Sequence, residues 1–197
     1  MPFWTDQGAD IATPKRNFRF KVTFSPASTD ATGFGEDLGS TGYWVKTATK
    51  PGYSLGVTEH AYLNHTFKFP GRLTWNDVTI TMVDPGGATG VGYYLAKMLK
   101  DAGYVVPSNS SVFDTMSKNS VVSNNIKVTI AQIDESGNTV EAWTLFNAFI
   151  SEASFGSLDY GSDELTEYSI TLKYDWAQLD DVQYVSTSTG TGTTGTA

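Results

Sequence analysis

The stretch "FPGRLTWNDVTITMVD", residues 69–84, changes phase halfway along. Its odd positions begin apolar, at Leu73 and Trp75, and turn polar at Asp77, Thr79 and Thr81. Its even positions run the other way, from Arg72, Thr74 and Asn76 to Val78, Ile80 and Met82. Successive side chains of a strand point to opposite faces, so the two halves bury opposite faces. One sheet over one core requires no such exchange. A β-bulge produces it, because one extra residue swaps the faces. So does a strand that passes between two packing layers at a bend in a small barrel or orthogonal sandwich. Pro70-Gly71 is expected to turn the chain into this strand, and Asp84-Pro85-Gly86-Gly87 to end it.

The remaining periodicity is also mostly two. "FRFKVTF" sets Phe18, Phe20, Val22 and Phe24 against Arg19, Lys21 and Thr23. "IKVTIAQI" (126–133) and a strand over 139–150 form a hairpin across "DESGN". That return strand is apolar on both sides, with Trp143, Leu145 and Phe149 on one and Ala142, Phe146, Ala148 and Ile150 on the other. Both sides therefore need cover. In "TEYSITLKYDW", Tyr168, Ile170, Leu172, Tyr174 and Trp176 are expected inside, with Glu167, Ser169, Thr171, Lys173 and Asp175 in water. One amphipathic helix of about 13 residues follows residue 89, with Val91, Leu95, Met98, Leu99 and Ala102 as its stripe, Thr89 as N-cap and Gly103 after its end. One short helical turn is expected in 107–125, around Val112, Phe113 and Met116. The fold class is mainly β: a small sandwich or barrel with one flanking helix and a long projecting hairpin. The expected organisation is an N-terminal arm over 1–16, one β domain over 17–180 and a mobile Ser/Thr/Gly tail over 181–197.

Residues 43–69 hold two β-prone runs around Lys50-Pro51-Gly52, with too few large apolar residues for a deep core. A hairpin projecting past the domain fits, as does an ordinary internal meander. An exposed edge is a liability for a monomer and an asset when a partner completes it.

Charged residues make up only 17% of the 197 residues, and Thr, Ser and Gly supply the missing polarity. That suits a surface covered by neighbours, and equally a secreted β domain. Residues 1–133 hold 10 acids and 12 bases; residues 134–197 hold 11 acids and one base, Lys173. The acidic end disfavours nucleic acid bound through its phosphates and suits either phosphate repulsion, a basic face on another subunit, or simple solubility. The start "MPFWTDQGAD" lacks the pattern of a signal peptide, and no apolar run approaches the 18 residues of a spanning helix.

No catalytic constellation emerges. There is no cysteine, and the two histidines, His60 and His65, lie in a β-prone arm, so a transition-metal site is not expected. "DESGN" lacks the ligand spacing of a calcium loop and reads as a turn. Asp180-Asp181 reads as a solvated terminus. The glycines at 86, 87, 90 and 92 lack the lysine of a phosphate loop, and no nucleophile elbow occurs. Neither a cofactor nor an enzymatic activity is expected.

Two segments carry a family resemblance. "FKFPGRLTWNDVTITMVD" (67–84) resembles the first half of the signature of phage tail tube proteins, the major tube subunits of contractile tails in the T4-like group, with Trp75, Asp77, Val78, Thr79, Ile80 and Asp84 matching. "LFNAFISEASFGSLDYGSDELTEYSITLKYDW" (145–176) resembles the second half through Phe149, Leu158-Asp159, Ser162 to Glu164, Ile170, Leu172, Tyr174 and Asp175. The resemblance spans about residues 15–178; the 25–42 loop, the 104–125 insertion and the Thr-Gly tail depart from it.

This resemblance implies homo-hexameric rings stacked into a hollow tube inside a contractile sheath, joined to a baseplate, in a virion assembled in the host cytoplasm. The 43–69 arm would reach the adjacent ring, and double-stranded DNA would pass through an acidic bore. Tyr53, Leu55, Leu63, Phe67, Trp75, Trp143, Phe146 and Phe149 would serve assembly, and Glu141, Glu167 and Asp175 would face the lumen. A bacterial injection or secretion tube carrying protein is the nearest alternative. A carbohydrate-binding sandwich, with Tyr43, Trp44 and Tyr53 stacking on sugars, is another.

Overall fold

The computed structural model describes residues 14–26, 44–85, 90–109, 115–123 and 126–180. Among these residues ten strands form three antiparallel sheets: β1 (Phe20–Pro26), β2 (Val45–Ala48), β3 (Tyr53–Tyr62), β4 (His65–Trp75), β5 (Val78–Val83), β6 (Ile126–Ile133), β7 (Thr139–Phe146), β8 (Phe149–Ser154), β9 (Glu167–Lys173) and β10 (Trp176–Leu179). The first sheet has the order β1-β6-β7-β10, the second β2-β5-β9-β8, and β3 pairs only with β4. Helix α1 spans Val91–Asp101, and α2 is a short helix, Lys118–Ser123.

The alternation dictates the core. Val78, Ile80 and Met82 of β5 and Ile170 and Leu172 of β9 project from the second sheet toward Val22 and Phe24 of β1, Val128 and Ile130 of β6 and Leu145 of β7, all in one buried cluster. The outward face of the second sheet is rich in hydroxyls, with Thr47 opposite Thr81, Thr81 opposite Ser169, Ser169 opposite Ser154 and Thr79 opposite Thr171, and it also carries Glu152, opposite Thr171, with Glu167 and Lys173 at the ends of β9.

The strands expected over 139–150 and 166–176 each break in two, because the chain changes sheets there. β7 lies in the first sheet and β8 in the second, while β9 lies in the second and β10 in the first. Since β7 pairs with β10 and β8 with β9, one antiparallel ladder bends around a corner. Asn147 makes the bend at φ 54, a conformation that asparagine adopts more readily than most residues. Its Nδ2 donates to the Asp175 carboxylate at 2.8 Å, and the Asp175 N–H donates to the Phe146 carbonyl at 3.1 Å. Trp176, expected inside, is therefore on the far side of the corner and 37% exposed, stacked on Phe146 at 5.2 Å. The both-sided apolarity of 139–150 is largely met within the chain, with Ala142, Leu145 and Ala148 buried and Thr144 buried between Thr129 and Gln178 in the ladder.

Residues 69–84 resolve in the same way. β4 belongs to the β3–β4 hairpin and β5 to the second sheet, and the change of layer falls at Asn76-Asp77, where the phase switches. Pro70-Gly71 is not a turn but lies inside β4. The hairpin runs to Trp75 and turns at Leu63-Asn64, with Leu63 at φ 50. Val45, expected in the arm, belongs to the body through β2.

Helix α1 starts at Gly90 without a side-chain cap; Thr89 lies outside the described residues. Val91, Tyr94 and Leu95 are buried and Met98 packs beside them, whereas Leu99 is 49% exposed, so Tyr94 takes its place in the stripe. Gly103, at φ +93, closes the helix as expected: its N–H donates to the Lys100 carbonyl, and the Tyr104 N–H to the Leu99 carbonyl. The short helix in the 107–125 region is α2; Met116 lies just before it and is exposed, while Val112 and Phe113 are outside the described residues. At the 134–138 turn, the Asp134 carboxylate accepts from the N–H groups of Ser136 and Asn138 and from the Asn138 side chain. Those bonds, led by the Asn138 side chain, hold its pKa below the usual value.

Candidate assembly surface

The arm stands in solvent: every residue of β3 and β4 is exposed except the half-buried Trp75. Its register assigns side chains to two faces. Near the base, Tyr53 opposes Trp75, Leu55 opposes Leu73 and Val57 opposes Pro70. Toward the tip, Thr58 opposes Phe69, His60 opposes Phe67 and Tyr62 opposes His65, on the reverse face. The His65 ring meets Phe67 edge-on at 4.6 Å, while Glu59 and Lys68 pair at 3.6 Å on the back of that tip. A register shift between Leu55 and Val57 causes the exchange. Two glycines allow it: a Cβ on Gly71 would stand 3.0 Å from the Gly56 carbonyl oxygen. The arm is thus amphipathic twice, in opposite senses.

Trp75 roots the arm. It meets Tyr53 at 5.7 Å and Tyr174 at 6.0 Å, and the Tyr174 hydroxyl donates to the Asn76 carbonyl at 2.7 Å. Burial, with a contribution from Asp77, pushes the Tyr174 pKa up to about 12, so the donor stays protonated. On the body, the Tyr168 hydroxyl donates to Asp84 at 2.8 Å and its pKa is raised, first by that bond.

The other expected assembly residues are dispersed. Leu63 is at the arm's turn, 87% exposed. Trp143 packs against the chain's own core and donates its ring N–H to Glu141 at 2.8 Å. Phe146 is half-buried on Trp176, and Phe149 is half-buried opposite Lys173.

The three carboxylates expected to face a lumen lie at three separate places, each held by a lysine of the same chain. Glu141 receives Lys15, Lys50 at 2.8 Å and the Trp143 ring. The Lys15 bond leads in lowering its pKa to about 2, followed by the Lys50 bond, against the opposing effect of burial. Glu167 pairs with Lys46 at 2.5 Å, which raises the lysine's pKa. Asp175 receives Lys118 at 2.8 Å and Asn147, and the Lys118 bond leads in lowering its pKa. The Lys50 ammonium also donates to Gln132. Sequence periodicity gives no sign of these long-range lysines, although the hairpin register does place Gln132 opposite Glu141.

One surface escaped the sequence reading. Between β8 and β9 the chain forms the wall of an open groove of about 1100 Å³ that Lys46, paired with Glu167, also lines. Leu158, Tyr160 and Leu165 of this wall stand in solvent. Among the described residues there is no cluster of potential metal ligands and no helix long and apolar enough to cross a membrane.

No protein-family model matches the chain, and no curated protein sequence matches it. Solved structures do. A chain of the extended sheath–tube complex of PVC, an extracellular contractile injection system, matches with a TM-score of 0.56 at 18% identity, over 86% of this chain and 93% of that one. A chain of the PVC sheath/tube terminator matches with a TM-score of 0.58 at 16% identity, over 86% and 99%. A chain of the tube-terminating cap of the anti-feeding prophage matches with a TM-score of 0.55 at 19% identity, over 89% and 97%. This chain therefore has the fold found in those contractile injection assemblies.

Proposed function

We propose that the chain is a structural subunit of the inner tube of a contractile machine, without catalytic activity, whose copies form rings that stack into a hollow conduit. The observation that carries this reading is an amphipathic hairpin left uncovered among the described residues, on a fold shared with chains of sheath–tube, terminator and cap assemblies. Rings and stacks are built from heterologous contacts, which need two different surfaces on each copy. Six copies per ring, a surrounding sheath and a baseplate are the partners this role requires.

The segments 67–84 and 145–176 support the finer reading of a phage tail tube, assembled in the host cytoplasm, with duplex DNA passing through the bore. The injection-system chains of the same fold favour a second reading, in which the cargo is protein. For either cargo, the Thr and Ser rows on the outer face of the second sheet suit a hydrophilic bore wall, which Glu152 and Lys173 punctuate with charge. Glu167 lies at the end of that face, yet its charge is balanced by Lys46. Glu141 and Asp175 are balanced likewise, so repulsion of phosphate by these three would be weak. Electron microscopy of the purified chain tests the role: rings or tubes with a central hole support it, and dispersed monomers at high concentration refute it.

A further inference from the structure

Two distant segments of the chain are tied to one pair of side chains. Gln132 of β6 and Glu141 of β7 stand opposite each other in the first sheet, on the face that carries Ile130 and Trp143. From one side comes the entry into β1: the Lys15 ammonium donates to the Glu141 carboxylate, and the Arg16 carbonyl accepts from Gln132 Nε2 at 3.3 Å. From the other comes the root of the arm: the Lys50 ammonium donates to Gln132 Oε1 and to Glu141 Oε1, each at 2.8 Å. We propose that this pair is a clamp coupling the N-terminal entry of the chain to the root of the arm, so that the seating of residues 15–16 holds the direction in which the arm leaves the body. The coupling is a property of the single chain and goes beyond the inner-tube reading.

Three observations carry it. Gln132 is only 8% exposed, and a buried amide is costly unless both its ends are bonded. A lysine only donates and a carbonyl only accepts, so a single orientation of the amide serves both segments, and losing either leaves a buried group unmet. Glu141 is shared in the same way. Lys50 and the Trp143 ring fix its carboxylate through Oε1, which leaves Oε2 for Lys15. That side chain is ordered once for both lysines. The two ammonium groups repel each other, but both lysines are about half exposed, so water and salt screen the repulsion. Burial and bonding leave Glu141 ionised, with its pKa at about 2. Lys50, finally, sits at the junction of arm and body. Just before it, Thr49 exchanges hydrogen bonds with Thr79 of β5. Just after it, the Gly52 carbonyl accepts from the Asn76 N–H at 2.8 Å, closing the two legs of the arm. Lys50 ties that junction across to the first sheet.

Amide hydrogen exchange, measured residue by residue on the intact chain in dilute solution, tests the coupling. Lys15→Met should raise exchange at Asn76, on the far side of the clamp, at least about fivefold. Coupling is reciprocal, so Lys50→Met should raise exchange at Arg19, whose N–H donates to the Arg16 carbonyl, by a similar factor. Ile80, in the ladder of β5 and β9, should be unchanged in both variants. Lys15→Arg, which keeps the charge, should restore the wild-type rate at Asn76. Unchanged exchange at Asn76 in the Lys15→Met chain, or a rise that Ile80 shares, would overturn the clamp. Either result leaves the inner-tube reading standing, because that reading is decided by whether copies assemble.

Discussion

The sandwich and the arm are built from the same kind of strand, antiparallel and alternating, and they end in opposite environments. In β5 the alternate residues Val78, Ile80 and Met82 are completely buried. In β3 the alternate residues Tyr53, Leu55 and Val57 remain about half exposed. The difference is cover: β5 faces another sheet and α1, whereas beyond its root at Trp75 the hairpin faces no second layer among the described residues. Alternation specifies a face, and only a second layer makes that face a core. Apolar groups left in water along both sides of a protruding hairpin have a physical rationale when another surface removes them from water.

This contrast can be broken or sharpened by substitution. The largest effect on stability is expected inside the sandwich: Leu172→Ala, at a fully buried site, should cost about 2–5 kcal/mol, read from denaturant unfolding. Gly156→Ala comes next. Gly156 has φ +72, and an added Cβ would sit 2.7 Å from the Glu167 carbonyl oxygen, so a cost of about 1–3 kcal/mol is expected. Trp75→Ala, where arm and body meet, should lower assembly more than it lowers β content by circular dichroism; equal losses would make Trp75 an ordinary core residue.

Glu141→Gln should destabilise more mildly, and with a defined pH dependence. The folded-state pKa of Glu141 is depressed from 4.5 to about 2, so its contribution is complete above 4.5 and is lost as pH falls toward 2. Variant and wild type should therefore differ at pH 7 and converge near pH 2 in thermal melts. The smallest effect on the monomer belongs to the arm tip: Phe67→Ser with Phe69→Ser should change its stability by no more than about 0.5 kcal/mol. A large loss would mean that the arm folds back on the body.

Much of this contrast was legible in the residues. Phe20, Val22 and Phe24, and Ile170 and Leu172, mark their strands by strict alternation, and the phase switch at Asn76-Asp77 marks the change of layer. The sheet-changing corner was not legible, because Asp175 continues the alternation while the backbone turns, and Asn147 is a single polar residue in a strand apolar on both sides. Nor was the true extent of the arm: Pro70-Gly71 looks like a turn, yet opposite Gly56 it forms a bulge that lets β4 continue. The groove wall escaped because Leu158, Tyr160 and Leu165 follow no period. Lysine partners of Glu141, Glu167 and Asp175 come from distant points of the chain, beyond the reach of local spacing.

The most direct test replaces residues 55–73 with Asn-Gly, a two-residue hairpin turn, and compares the shortened chain with the intact one by sedimentation velocity. Because β3 and β4 pair only with each other, the shortened chain should keep both sheets and sediment as a monomer, while the intact chain forms rings or larger species. An intact chain that stays monomeric, or a shortened one that assembles equally well, would contradict the claim that the arm is finished by another copy.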